Sequence, residues 1–301
     1  MTKKIILNMS TNTVNLNFCL NQAKSHYGGF GYLTIVTLLF SCGSIILLQY
    51  LFATDQISIW LHVLLSAYLF YMIYSPLHEA VHGNISGKHQ SLKWVNPVVG
   101  VISAMFFMFS YTMHKWDHLL HHKYTNDPKL DPDYFVKADN PFSVIVRCLL
   151  ILFKNVPYAI RNWNHPATNT KRNIIQGTLE SLIPIAILVV ITNVTTLPWY
   201  FFLVSYVFPL LMGTFLLGLF FDYFVHIPHD NQERFGDTNV IRFTPKLDRV
   251  ITWIWLWQNY HAIHHLFPAI PFYNYKKVFN KSEKELRELG LPVIDIVVTD
   301  L

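Results

Sequence analysis

The sequence predicts an all-α integral membrane protein with four transmembrane helices, a re-entrant segment, an interfacial helix and a histidine-rich cap on one membrane face. Its composition is the first reason, because 52% of the 301 residues are hydrophobic and only 14% are charged, whereas about a quarter of a soluble domain is charged. The second reason is a set of apolar runs of the roughly 20 residues that a helix needs to cross about 30 Å of hydrocarbon. The third is that most of the 15 histidines lie in groups at the ends of these runs.

The charge and the cysteines argue against several classes of protein. A net charge of +5 without a run of basic residues gives no sign of a nucleic-acid partner and suits a surface that faces a membrane. The three cysteines, Cys19, Cys42 and Cys148, are too scattered for a disulfide framework or the Cys₄ set of an iron–sulfur cluster. The first 18 residues lack the long apolar core of a signal peptide. We expect one membrane domain over residues 1–301.

The four predicted spans come in two pairs, Gly31–Ala53 with Ile57–Leu77, and Ile174–Val194 with Leu197–Val225. The short loops inside the pairs, "TDQIS" and "NVTTLP", contain no lysine or arginine. The positive-inside rule therefore places both termini and the polar middle of the chain in the cytosol. The basic residues on the cytosolic flanks are Lys3, Lys4, Lys24, Lys88, Lys93, Lys171 and Arg172.

Two further apolar segments are not predicted to cross the membrane. If Trp94–Met113 crossed, the histidines after it would lie about 30 Å from those before it. Because it contains a proline and a glycine, we expect it to be re-entrant, which is permitted where protein covers the backbone. Pro141–Trp163 carries Arg147 and Lys154 one heptad apart, so it is predicted to be an interfacial helix with both cations on one face.

The histidines form four groups at the cytosolic ends of the predicted helices. Helix positions i, i+3 and i+4 share a face, so the HxxxH and HxxHH patterns direct their imidazoles into one volume. Neutral imidazole is a good ligand for iron, zinc or copper. Four groups on one membrane face therefore predict a shared metal site. The groups are His78 and His82; His114, His118, His121 and His122; His226 and His229; and His261, His264 and His265.

The remaining histidines are not expected to bind metal. His62 precedes His78 by 16 residues on the same predicted helix, which separates them by about 24 Å and puts His62 near the outer interface. His26, His89 and His165 stand alone and are interpreted as surface residues. His62 is therefore the natural control for the predicted metal site.

Two other functions fit parts of this pattern. "HEAVH" matches the HExxH motif of zinc metalloproteases, in which Glu79 would be the general base. Such a site needs only three protein ligands and an open position for water, so both HxxHH groups would be left without a role. A haem protein or a metal transporter would carry histidines or polar residues within its spans, whereas these histidines lie at helix ends.

The sequence resembles the membrane fatty acid desaturase and hydroxylase superfamily. "HEAVHGN", "HLLHHKYTNDPKLDPD" and "NYHAIHHLFPAIPFYNY" are similar to its three histidine boxes, and the resemblance runs from about Pro76 to Tyr275. Within the superfamily, "FDYFVHIPHD" and the third box look most like bacterial β-carotene hydroxylases. The resemblance implies two non-haem iron ions that activate O₂ and attack an unactivated C–H bond of a lipid.

The resemblance also implies which histidines bind the iron ions. His226 is chosen over His229 because it continues the last span. His114 and His229 are expected beside the ligands, and whether either of them also binds iron is left open. Ligating histidines usually donate their other N–H to a carboxylate or carbonyl, and Asp127 and Asp222 are the predicted acceptors. Other aspartates beside the boxes are Asp117, Asp131, Asp133 and Asp230. The implied ligands are His78, His82, His118, His121, His122, His226, His261, His264 and His265.

We therefore expect a membrane oxidoreductase that hydroxylates or desaturates a carotenoid or a fatty-acyl chain. The aromatic stretches "WIWLWQNY" and "FPAIPFYNY" flank the third box and could line an apolar passage, or form an interfacial aromatic belt. The resemblance favours β-carotene hydroxylation, with fatty-acyl desaturation as the alternative. No fused cytochrome b5-like domain is recognisable, so a separate donor such as ferredoxin or cytochrome b5 must supply the electrons.

Overall fold

The computed structural model describes residues 2–154, 171–195 and 198–297. Helices dominate these residues, and a parallel pair of short strands, β1 (Val240–Phe243) and β2 (Val293–Ile296), forms the only sheet among them. The helices are α1 (Thr2–Lys24), α2 (Tyr32–Ala53), α3 (Ile59–His82), α4 (Val95–Met105), α5 (Tyr111–Tyr124), α6 (Pro141–Leu149), α7 (Lys171–Val194), α8 (Tyr200–His226), α9 (Pro245–Ile254), α10 (His261–Leu266) and α11 (Tyr275–Glu288).

The predicted all-α membrane fold with four spans is confirmed, because α2, α3, α7 and α8 are long and apolar enough to cross a bilayer. Helix α3 is the central one: it packs against α2, α4 and α8, and more than half of its span is buried. It continues to His82, so the first histidine box forms its last turn. Gly83 then ends the helix in the left-handed conformation, with φ of 73°.

The segment predicted to be re-entrant enters and leaves on the same side of the bundle. Helix α4 has 11 residues and a length of about 17 Å, too short to cross a membrane. The chain then turns back, and Ser110 begins α5 by accepting a hydrogen bond from the Met113 amide at 3.1 Å. The Tyr111 ring occupies the space beside Gly100 where a Cβ would otherwise lie. Helices α4 and α5 therefore pack closely as a hairpin.

The predicted interfacial helix is only partly correct. Helix α6 ends at Leu149 and is followed by a short 3₁₀ turn, Ile151–Phe153. Arg147 is exposed as expected, but Lys154 is turned into the protein, where its ammonium contacts Asp133. The interruption after Leu149 changes the direction of the chain, so a heptad no longer returns to the same face. Residues 155–163 of this segment lie outside the described residues.

The C-terminal third of the chain closes the bundle at the end that carries the histidines. Helices α10 and α11 share a second hydrophobic core with α1, centred on the fully buried residues Tyr260, Ile263, Tyr275 and Phe279. This arrangement brings the third histidine box against the ends of α3, α5 and α8.

Candidate metal centre

Nine histidines converge at this end of the bundle in two groups, and the ligand atoms within each group lie within 4.8 Å of one another. The structure thus brings together all nine histidines that the resemblance implied as ligands. Helices α5 and α10 contribute to both groups, while α3 contributes to one and α8 to the other. The five-histidine group contains His78, His82, His118, His122 and His264, and the four-histidine group contains His121, His226, His261 and His265.

In the five-histidine group, four Nε2 atoms form a chain in which each atom lies within about 3 Å of the next. The Nε2 atoms of His82 and His118 are 2.9 Å apart, those of His118 and His122 3.0 Å, and those of His122 and His264 2.8 Å. Each Nε2 carries either one hydrogen or one lone pair, so only two of the three contacts can be hydrogen bonds. Metal–nitrogen bonds of about 2.0–2.1 Å place neighbouring ligand atoms about 3 Å apart. The group therefore fits a metal ion better than it fits a hydrogen-bond network.

His78 completes this group. Its ring lies 4.1 Å from that of His264 and 4.6 Å from that of His118, measured between centroids. The side chain is fully buried, and among the described residues neither ring nitrogen has a hydrogen-bond partner. Leaving a buried polar group without a partner is costly, and a metal ion would satisfy one of the two nitrogens.

In the four-histidine group, hydrogen bonds at Nδ1 fix the orientation of three rings. Each bond ends at an oxygen that accepts, so Nδ1 donates and the neutral ring keeps its lone pair on Nε2. The Nε2 of His265 lies 3.3 Å from those of His121 and His226, so lone pairs from several rings meet in one place. The three pairs are His226 with the Asp222 carbonyl at 2.6 Å, His121 with the Asp131 carboxylate at 2.9 Å, and His261 with Gln258 Oε1 at 2.8 Å.

Burial keeps most of these rings neutral, as metal ligands must be. Desolvation lowers the pKa of His118, His122 and His264 well below its usual value. His121 behaves differently: burial opposes its charged form, but Asp131 and Asp133 raise its pKa to about 9. A proton therefore competes with a metal ion at His121 more than at the other three rings.

The acceptors predicted for the histidine N–H groups are partly corrected. Asp222 does contact His226, but through its backbone carbonyl rather than its carboxylate. Asp127 instead accepts from the amides of Lys129 and Leu130, at 2.8 and 2.9 Å, and so closes a turn. The role predicted for Asp127 falls to Asp131, four residues further on.

His114 and His229 lie beside the two groups, where they were predicted. The His114 ring is 6.0 Å from that of His118, and the His229 ring is 6.2 Å from that of His226. Both side chains are buried, and neither Nε2 atom has a hydrogen-bond partner among the described residues. Neither belongs to a metal-binding group.

Two charged residues near the centre were missed in the sequence. Lys154 contacts Asp133. Its ammonium therefore places a positive charge beside His121 and the carboxylates of Asp131 and Asp133. Glu180, in the middle of α7, accepts from Ser110 Oγ at 2.8 Å and from the Thr112 amide at 2.8 Å. Isolated charges in apolar segments usually have a partner or a function, and that signal could have identified both.

The other histidines and Glu79 lie outside the two groups. His62 is fully buried, with its ring nitrogens 3.2 Å from the Leu48 carbonyl and 3.0 Å from that of Ser205. His89 is exposed, His26 is half-buried, and residue 165 lies outside the described residues. The Glu79 carboxyl lies beside Asn84 and the Phe272 backbone. His78 and His82 have three further histidines around them, more than the single further ligand that an HExxH zinc site needs.

Comparison with known protein families gives one result. The family model described as fatty acid desaturase matches residues 57–296. The match begins just before α3, ends with β2, and includes all nine histidines of the two groups. No curated protein matches the sequence.

Proposed function

Because this chain belongs to the fatty acid desaturase family, we propose that it is a membrane-bound di-iron oxygenase that hydroxylates or desaturates a lipid. The observation that carries the proposal is the pair of adjacent histidine groups at one end of a membrane-spanning bundle. Two iron ions held there would supply the activation of O₂ for attack on a C–H bond. The chain itself holds the ligands in place and excludes bulk water.

The donor set supports two ions rather than one. Nine imidazoles exceed the ligands that a single ion takes, and they separate into two groups of plausible size. Imidazole alone suits iron, zinc and copper, so the choice of iron rests on the family. Carboxylate ligands, which soluble di-iron bundles use, do not occur in either group.

An apolar cavity of about 350 Å³ supports a lipid substrate. It lies between α2, α3, the end of α9 and the segment that follows, and its wall includes Trp253, Trp257 and Phe272. These three residues belong to the two aromatic stretches singled out in the sequence. Met72, also in the wall, is six residues before His78 on α3, a distance of about 9 Å. A lipid that entered this cavity from the bilayer would approach the five-histidine group.

We further propose that the substrate is a carotenoid that becomes hydroxylated, as the likeness of "FDYFVHIPHD" and the third box to β-carotene hydroxylases suggests. The description of the matching family favours fatty-acyl desaturation as the second candidate. The electrons would come from a separate donor such as ferredoxin or cytochrome b5. We place one domain over residues 1–301 in a bacterial inner membrane, with the termini and the metal centre on the cytosolic side.

Expression of the chain in a β-carotene-producing bacterium, together with an electron donor, tests this function. Carotenoids that gain one oxygen per ring would support hydroxylation. Unchanged carotenoids together with fatty acids two hydrogens lighter would reject it in favour of the desaturase. A His264→Ala variant, expressed to the same level, is the control for activity of the host.

A further inference from the structure

A buried ion pair lies next to the four-histidine group. The side chains of Lys154 and Asp133 are only 11% and 8% exposed, and the Lys154 ammonium contacts the Asp133 carboxylate. Removing two charges from water costs several kcal/mol per ion unless close contacts compensate for it. The residues are 21 positions apart, so the pair exists only because the fold brings the end of the α6 segment against the loop after α5.

The pair is connected to a proposed metal ligand through Asp133. The second carboxylate oxygen of Asp133 is 3.6 Å from Nδ1 of His121. Asp131 is closer to the same nitrogen, at 2.9 Å. Two carboxylates therefore face one imidazole N–H, and their mutual repulsion would separate them if no cation were present.

Asp131 is already held in its position by backbone groups. Its oxygens accept from the amides of Asn126 and Asp133, each at 2.8 Å. Asp133 contacts Lys154 through its Oδ1, and its Oδ2 lies 3.6 Å from His121 Nδ1, beyond hydrogen-bond distance. The His121 N–H is thus left to Asp131, and the ring presents Nε2 to the neighbouring histidine, His265, at 3.3 Å.

We propose that Lys154 is a positioning residue for the four-histidine group: it neutralises Asp133, so that Asp131 alone orients His121. The inference rests on the proposed function insofar as that group binds a metal ion. Partners that orient a ligating histidine typically change metal affinity by 10- to 100-fold when they are removed. The five-histidine group does not contact Lys154 and keeps its own ligands.

The test measures bound iron per folded chain in the purified full-length protein after dialysis against a chelator. Lys154→Met is expected to lower iron from about two ions per chain toward one and to weaken binding of the second ion by about 10- to 100-fold. Mössbauer spectra of ⁵⁷Fe-loaded protein should lose the signal of one of two sites. Lys154→Arg should retain both the second iron ion and its Mössbauer signal, because arginine keeps the positive charge. Lys129→Met, an exposed lysine in the preceding loop, is the matched control and should behave like the wild type.

The double variant Lys154→Met with Asp133→Asn separates charge from structure. It removes both charges and leaves Asp131 as the acceptor, so it should retain more iron than Lys154→Met alone. If Lys154→Met does not fold, the double variant carries the test, and loss of the second ion from it would overturn the proposal. Full iron and an unchanged spectrum in Lys154→Met would also overturn it. Absence of iron from the wild-type protein would instead contradict the proposed function. In that case, the Lys154 variants are compared by how much they retain of the metal that the wild-type protein binds.

Discussion

The imidazole rings of His122 and His265 are stacked, with centroids 4.3 Å apart and planes inclined by 28°. His122 belongs to the five-histidine group and His265 to the four-histidine group, so this contact joins the two. Loss of a ligand from either group should therefore disturb its neighbour.

His121→Ala and His264→Ala should each abolish product formation and lower bound iron. Each removes one Nε2 atom from a cluster whose geometry depends on the full set. Product analysis and iron content per folded chain are the measurements. His62→Ala is the control: its ring is buried and far from both groups, so the substitution should lower stability but leave the iron content unchanged. Full turnover by the His121 or His264 variant would contradict their assignment as ligands.

Glu180→Leu should destabilise the protein more than Glu180→Gln. Glu180 is a buried residue, and its carboxylate accepts from Ser110 and Thr112 at the start of α5, the helix that carries the second histidine box. Loss of a helix cap costs about 0.5–2 kcal/mol, whereas glutamine keeps one acceptor oxygen. Thermal unfolding in detergent would measure the difference. Equal effects of the two substitutions would mean that the side chain matters for its volume alone.

Trp253→Ala should weaken use of the lipid substrate without changing the iron content. Trp253, at the end of α9, lines the cavity beside α2 and α3 and is 58% exposed. One lost aromatic contact is worth about 1 kcal/mol, or roughly a fivefold rise in KM. Trp94→Ala is the matched control, since Trp94 is 61% exposed and lies outside the cavity wall. Equal kinetics for both variants would favour an interfacial aromatic belt.

Lysines at the histidine-bearing end should react with membrane-impermeant reagents only from the cytosolic side. Lys88, Lys129 and Lys246 are the suitable positions, and cysteines introduced at Asp55 and Thr195 should react only from the other side. The expectation follows from the positive-inside rule and from the position of the histidines at one end of the spans. Labelling of Lys129 from outside would contradict the orientation.

The amino-acid sequence by itself determined the four spans and the histidines that meet. Long apolar runs with few charged residues are typical of membrane-spanning helices, and HxxxH or HxxHH spacing on a helix directs imidazoles to one side. Even the short re-entrant segment followed from requiring that His82 and His118 share a site. These are local properties of the chain, or follow from one simple constraint on it.

Only the tertiary structure decided how the histidines divide. In the second box, His118 and His122 belong to the five-histidine group and His121 to the four-histidine group. In the third box, His264 belongs to the five-histidine group, and His261 and His265 belong to the four-histidine group. Residues at i+3 and i+4 point to opposite sides of the helix face that they share, about 100° apart, so small rotations decide their partners. Those rotations depend on packing against α3 and α8, which sequence spacing does not encode.

The supporting contacts were also decided by the tertiary structure. Lys154, Asp131 and Glu180 gain their roles from partners on other elements. The end of α6 at Leu149 orients Lys154, and the turn after α5 orients Asp131. A π-helical turn, Gly218–Tyr223, shifts the register of α8 just before His226, where a regular helix had been assumed. A charged residue in an apolar segment indicates that a partner exists. The identity of that partner depends on long-range contacts, which only the folded chain determines.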